Sequence, residues 1–165
     1  MLTNNCNHLL AAKDSCGINP LMDALQTDQL DIVKYLLETY DNKTIINLFD
    51  RDKLNNSSIH LVCQSGAIKC LKFIFYKYFN QTSLFSELKA NLNCFNMTPL
   101  HSACKNNRET ILEYILNELN NNHHIKDLIK QQDIHNRSAY DIALSISINQ
   151  TNKNNCLIIL NKFYL

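Results

Sequence analysis

Apolar residues recur along this chain in two alternating patterns. Short clusters come first, such as Leu21, Ala24 and Leu25, and later Leu100, Ala103 and Cys104. A longer stripe follows each one: Ile32-Val33 with Leu36-Leu37, and Ile111-Leu112 with Ile115-Leu116. Apolar pairs recurring about every 3.6 residues mark one buried face of a helix. Between cluster and stripe stand Asp28, Gly66 and Asn107, types that tolerate the left-handed backbone of a tight turn. The pattern predicts a turn, a short helix, a turn and a longer helix, and then the same again.

Four segments fall into one alignment. They read DSCGINPLMDALQTDQLDIVKYLLE from Asp14, DKLNNSSIHLVCQSGAIKCLKFIF from Asp52, NCFNMTPLHSACKNNRETILEYIL from Asn93 and DIHNRSAYDIALS from Asp133. Their anchors Asn19, Ser57, Thr98 and Ser138 lie 38, 41 and 40 residues apart. Each segment opens with Asp or Asn and carries Gly17, Asn55, Asn96 or Asn136 at its fourth place, where a left-handed backbone is expected. The Ser or Thr that follows in three of them can cap the next helix, and Pro20 and Pro99 sit where no N–H is needed. Small residues at Ala24, Ala103 and Ala143 let neighbouring helices approach closely. The expected fold is all-α, one repeat domain over residues 1–165 with units of about 14–51, 52–92, 93–132 and 133–163. Residues 1–13 are expected to form a partial N-terminal cap.

The connections between units, NKTIINLFD, TSLFSELKAN and HHIKDLIKQQ, hold apolar residues at helical spacing. A lengthened second helix plus an extra helical turn is expected in each. Leu84, Leu88 and Leu92 form one such stripe. The fourth unit is irregular, with INQTN inserted before its final helix, NNCLIILNKFYL.

Composition narrows the function. The net charge of +1 offers no broad basic field for nucleic-acid phosphates. No apolar run approaches the roughly 18 residues of a membrane span. The N-terminus does not read as a signal peptide, so the seven cysteines are expected to be reduced thiols in the cytoplasm, with the nucleus also open.

His60 and His101 occupy the same place in successive units and read as structural histidines bonding the hydroxyl and backbone of their turns. Cys63 and Cys104 are also equivalent and read as small core residues. His123-His124 reads as a solvated loop. No C-x-x-C pair, phosphate loop, G-x-S-x-G or H-E-x-x-H occurs, and there are only two glycines. No catalytic residue, metal, cofactor or small-molecule substrate is expected.

The run T-P-L-H-x-A at Thr98–Ala103 resembles the signature of the ankyrin repeat, with degenerate copies at Asn19–Ala24, Ser57–Val62 and Ser138–Ala143. The resemblance covers about residues 14–163, although the spacing exceeds the usual repeat of about 33 residues. It implies a solenoid that binds another protein, with turn tips and short helices lining one face. The tip positions include Cys16, Ile18, Lys53, Leu54, Asn56, Phe95, Met97, Ile134, His135 and Arg137. The short-helix ends bring Gln26, Gln64, Lys105 and Asn106 to the same face. Leu54, Phe95 and Met97 are expected to be the apolar anchors of a hot spot.

The enlarged connection ending SELKANLNCFNMTPLHSAC looks like that of the inhibitor-of-kappa-B (Cactus-like) ankyrin domain. That resemblance implies a Rel/NF-κB dimer as partner, held away from nuclear import and DNA. Cellular members carry a signal-responsive N-terminal tail and an acidic C-terminal tail. The chain shows neither, and so looks like the short viral mimics of that family, which escape the host's phosphorylation signal. Two other readings stay open: an adaptor recruiting some other protein, and a segment of a larger protein regulated through its ankyrin repeats.

Overall fold

The computed structural model describes residues 10–39, 48–120, 124–149 and 155–164. Each unit begins with a turn that its own first residue holds shut. The Oδ1 atom of Asp14 accepts hydrogen bonds from the Cys16 and Ile18 amides, both at 2.8 Å. Asp52 takes Leu54 and Asn56, Asn93 takes Phe95 and Met97, and Asp133 takes His135 and Arg137, all within 2.7–3.0 Å. Closing so short a loop forces a left-handed residue at the fourth place, with φ of 85° at Gly17, 62° at Asn55, 53° at Asn96 and 57° at Asn136. That place is filled as the pattern predicts.

The first helices follow the turns: α1 (Pro20–Gln26), α3 (Ser58–Ser65), α6 (Pro99–Lys105) and α9 (Ala139–Asn149). Asn19 caps α1 by accepting from the Met22 amide, and Thr98 caps α6. Left-handed Asp28, Gly66 and Asn107 then reverse the chain. The second helices are α2 (Leu30–Thr39), α4 (Ile68–Tyr78), α7 (Glu109–Glu118) and α10 (Asn155–Tyr164).

First helices stack on first helices, α1 on α3, α3 on α6 and α6 on α9, and second helices stack likewise. Leu21, Ile59 and Leu100, equivalent in the three leading units, are buried between them, as are Ala24, Ala103 and Ala143. The second helices add cation–π links between units, Lys34 over Phe73 at 5.9 Å and Lys72 over Tyr114 at 5.4 Å. Among the described residues the fold is all-α, with extended pairing confined to two isolated bridges, Arg51 with Ser57 and Gln132 with Ser138.

The connections differ from the lengthened helices expected of them. Helices α4 and α7 span only 11 and 10 residues. The extra sequence instead forms separate third helices, α5 (Gln81–Ala90) and α8 (Ile125–Lys130). Phe79 is extended and stops α4, and Asn80 opens α5 by capping it at the Ser83 amide. Leu84 and Leu88 are buried, while Leu92 lies beyond the helix and is half-buried.

Arg51 fastens this insert to the array. Its guanidinium donates to the Leu92 carbonyl at 3.2 Å, the Asn91 side chain at 2.5 Å and the Asn55 carbonyl at 2.8 Å. The third helices pack on each other. The helical turn expected in NKTIINLFD falls mainly on residues 40–47, outside the described residues. Most of INQTN, His123 and residues 1–9 of the expected N-terminal cap also lie outside them.

Candidate functional site

The turn tips are joined into one backbone ladder. The Lys53 amide donates to the Cys16 carbonyl at 2.9 Å, Cys94 to Leu54 at 2.9 Å and Ile134 to Phe95 at 3.0 Å. A Cβ at Gly17 would come within 2.8 Å of the Lys53 nitrogen, so the first tip approaches the second at a distance only glycine permits.

Two histidines brace the ladder from below. The Nδ1 of His60 lies 3.2 Å from the Ser57 amide and 2.9 Å from its hydroxyl. An N–H cannot accept, so Nδ1 is bare, and Nε2 carries the proton donated to the Met97 carbonyl at 2.8 Å. His101 repeats the arrangement with Thr98 and with the Arg137 carbonyl at 3.1 Å. Burial lowers the pKa of both rings, to about 4 for His60, so both are neutral. They are structural histidines, each tying one unit to the next.

The expected partner-binding residues separate into two groups. Cys16, Lys53, Leu54, Gln64, Phe95, Lys105 and His135 are exposed, and Ile18, Gln26 and Asn106 are half-buried. Leu54 is 51% and Phe95 39% exposed. Arg137 is half-exposed and paired with Asp133 at 2.8 Å. Burial opposes the Asp133 charge, but hydrogen bonds from Arg137 and the turn amides hold its carboxyl below the usual range.

Met97 and Asn56 depart from the expectation, because both are buried. Each stands at the fifth place of its turn, where the backbone is pinned. The Met97 amide donates to Asn93, and its carbonyl accepts from the Asn93 amide and the His60 ring. A backbone held at both ends turns the thioether into the core, so Met97 is no surface anchor. Asn56 spends its side chain on Asp52 at 2.8 Å and Asn93 at 2.9 Å, linking two turns.

The apolar row continues instead at Ile134, which is 48% exposed. Ile134 stands at the second place of its turn, while Leu54 and Phe95 stand at the third, so alignment by position separates them. The Ile134–Phe95 rung of the ladder brings them together.

Two of the core thiols are held in the protonated form. Burial raises the pKa of Cys63, and a hydrogen bond to Cys156 together with burial raises that of Cys104. Among the described residues no group of three His, Cys, Asp or Glu side chains is placed to hold a metal ion. Nor is any described helix long and apolar enough to cross a membrane.

A family model of three ankyrin repeats matches residues 1–84, and a model of a single ankyrin repeat matches residues 95–128. The chain belongs to the ankyrin-repeat family. It is similar to an ankyrin-repeat protein of Fowlpox virus (strain NVSL), 32% identical over an alignment of 108 residues that covers 59% of this chain and 20% of the relative. The chain therefore spans about a fifth of the length of that relative. In this ankyrin-repeat protein the turn tips carry their side chains on a hydrogen-bonded ladder.

Proposed function

We propose that the chain acts by occupying a partner's surface stoichiometrically, without turnover, and that the partner is a Rel/NF-κB-type transcription factor. Binding in the cytoplasm would cover the surfaces that partner uses for nuclear import and DNA contact, as a viral mimic of the host inhibitor. One observation carries the interaction reading: Leu54, Phe95 and Ile134 are exposed on the tips of a braced ladder, beside the exposed Lys53 and His135 of the same turns. Preformed apolar groups with a polar rim are what a hot spot requires. The Rel assignment is supported by the enlarged connection before Thr98, and the likeness to a poxvirus protein supports a viral setting.

A second reading, an adaptor recruiting some other protein, is favoured by the much greater length of the fowlpox relative, in which the matched repeats are one segment. Titration of the unmodified chain against a Rel homology dimer separates the two. Replacing Leu54 and Phe95 together by Ala removes two of the three candidate anchors and leaves the core intact, so affinity should fall about a hundredfold or more. No detectable binding by the unmodified chain rejects the Rel assignment and leaves the adaptor.

A further inference from the structure

The second helices repeat one pattern that the third unit breaks. Tyr35, Phe73 and Tyr114 stand at the same place after their anchors Asn19, Ser57 and Thr98. The lysine just before that place reaches onto the next unit's ring, Lys34 onto Phe73 at 5.9 Å and Lys72 onto Tyr114 at 5.4 Å. Phe73 carries a second ammonium at 5.4 Å, from Lys77 one turn further along its own helix. Lys77 also lies 5.9 Å from the Tyr78 ring and is paired with Glu38 at 3.3 Å. Two rings and a carboxylate are thus how this molecule holds an ammonium on an alkyl stem.

At the place of Lys77 the third unit has Glu118. Tyr114 has no lysine from its own helix there, and its hydroxyl donates instead to the Glu118 carboxylate. Beside this pair lies a surface cavity of about 310 Å³, whose lining includes Phe75, Phe79, Leu84, Tyr114 and Glu118. The break between α4 and α5 creates it, because Phe79 and Asn80 are both extended and α5 leaves the line of α4. Phe75 and Leu84 are buried, Phe79 and Tyr114 are half-buried, and Glu118 is exposed. The Phe75 ring lies 5.8 Å from Tyr114 at 34° and 6.2 Å from Phe79 at 78°. Neither pair is a flat face-to-face stack, so aromatic surface is left over for the cavity. Lys72 is not part of the lining.

We infer that this cavity takes the ammonium end of a lysine side chain from a protein partner. Tyr114, Phe79 and Glu118 do for it what Phe73, Tyr78 and Glu38 do for Lys77. The alkyl stem lies against the apolar lining, and the ammonium reaches the exposed carboxylate. The volume is at the small end of ligand cavities, roughly 300–1,000 Å³, and suits one side chain. An arginine fits less well. Its guanidinium brings five N–H donors in a fixed fork, and the one carboxylate here already accepts from Tyr114. An ammonium brings three donors and can turn the rest to water at the rim. The inference rests on the protein-binding reading of the chain and uses none of the turn-tip residues.

The test is an NMR titration of the full chain with Nα-acetyl-lysine methylamide, at constant ionic strength. The ring resonances of Phe75, Phe79 and Tyr114 should shift and saturate, with a dissociation constant on the order of millimolar or weaker. The norleucine derivative, which keeps the alkyl stem and lacks the charge, should leave them in place. Glu118→Lys restores the arrangement of the second unit, so its own ammonium should fill the cavity and weaken binding about tenfold or more. That variant lies on an exposed helical position, and its helical circular dichroism should be unchanged. Failure to saturate, an equal shift from the norleucine derivative, or full affinity in Glu118→Lys overturns the inference. Tighter binding of choline than of the lysine derivative also overturns it, and assigns the cavity to a quaternary ammonium. The chain with Leu54 and Phe95 replaced by Ala should bind the lysine derivative unchanged. The titration contains no Rel dimer, so either proposal can fail alone.

Discussion

A side chain in this array has a role set by its place within the turn, and Met97 shows how sharply adjacent places differ. Phe95, at the third place, faces solvent, while Met97, at the fifth, is 4% exposed and part of the core. Met97→Asp should therefore cost several kcal/mol, because it buries an unpaired charge. Leu54→Asp, on an exposed tip, should cost less than about 1 kcal/mol. Urea titration of both variants checks this, and equal costs would mean that the tip has been assigned wrongly.

The buried histidines make stability depend on pH. The His60 pKa is about 4 in the folded chain against an ordinary value of 6.5, so below 6.5 the unfolded chain gains a proton that the folded chain refuses. Stability present above pH 6.5 should drain away as pH falls towards 4, by about 3 kcal/mol for His60 alone. His101 acts in the same direction. The Asp133 carboxyl is held below its ordinary 3.8, so its contribution is lost only at more acid pH. Gln at the third helical position can still reach back to the N-cap. His60→Gln should therefore flatten the melting-temperature profile between pH 6.5 and 4, and an unchanged slope would assign the acid sensitivity elsewhere.

At the scale of elements, the third helix of the second unit departs most from a plain turn–helix–helix repeat. Helix α5 has its own cap at Asn80 and two buried anchors, Leu84 and Leu88, and Arg51 clamps the chain beyond its end. Helix α5 is thus a packed part of the array. Leu88→Ala should cost about 2–5 kcal/mol through the cavity it leaves, whereas Lys89→Ala, on the exposed face, should stay within about 0.5 kcal/mol. Amide exchange across Ser83–Ala90 should be slow in the unmodified chain and fast in the Leu88 variant. Fast exchange in both would make the insert a loose appendage.

Over the whole molecule, contacts run between neighbouring units, so stability should be distributed as in a one-dimensional stack. Helices α3 and α6 have first-helix neighbours on both sides, while α10, in the fourth unit, keeps an exposed flank at Ile158. Hydrogen-exchange protection should peak in α3 and α6 and decline towards α10. Ala103→Asp puts a charge into the fully buried α6 seam and should cost several kcal/mol or prevent folding. Uniform protection from α3 to α10 would contradict the stacked description.

What the sequence determined by itself was local. The predicted turn residues Gly17, Asn55, Asn96, Asn136, Asp28, Gly66 and Asn107 all have positive φ, because few residue types enter that region and a turn must have one of them. The helix periods, the repeat and the structural histidines were legible for the same reason, since short-range sterics and hydrogen bonds leave marks on adjacent residues. Tertiary structure alone decided which side chains are spent and which are free. Met97 owes its burial partly to His60, 37 residues away, and Asn56 is consumed by Asn93 at the same separation. Ile134 joined the exposed row through a backbone rung to Phe95, and the connections became separate helices because Asn80 capped a new one. Burial depends on which groups the fold brings alongside, and a partner some forty residues distant leaves no mark on the residues next to it.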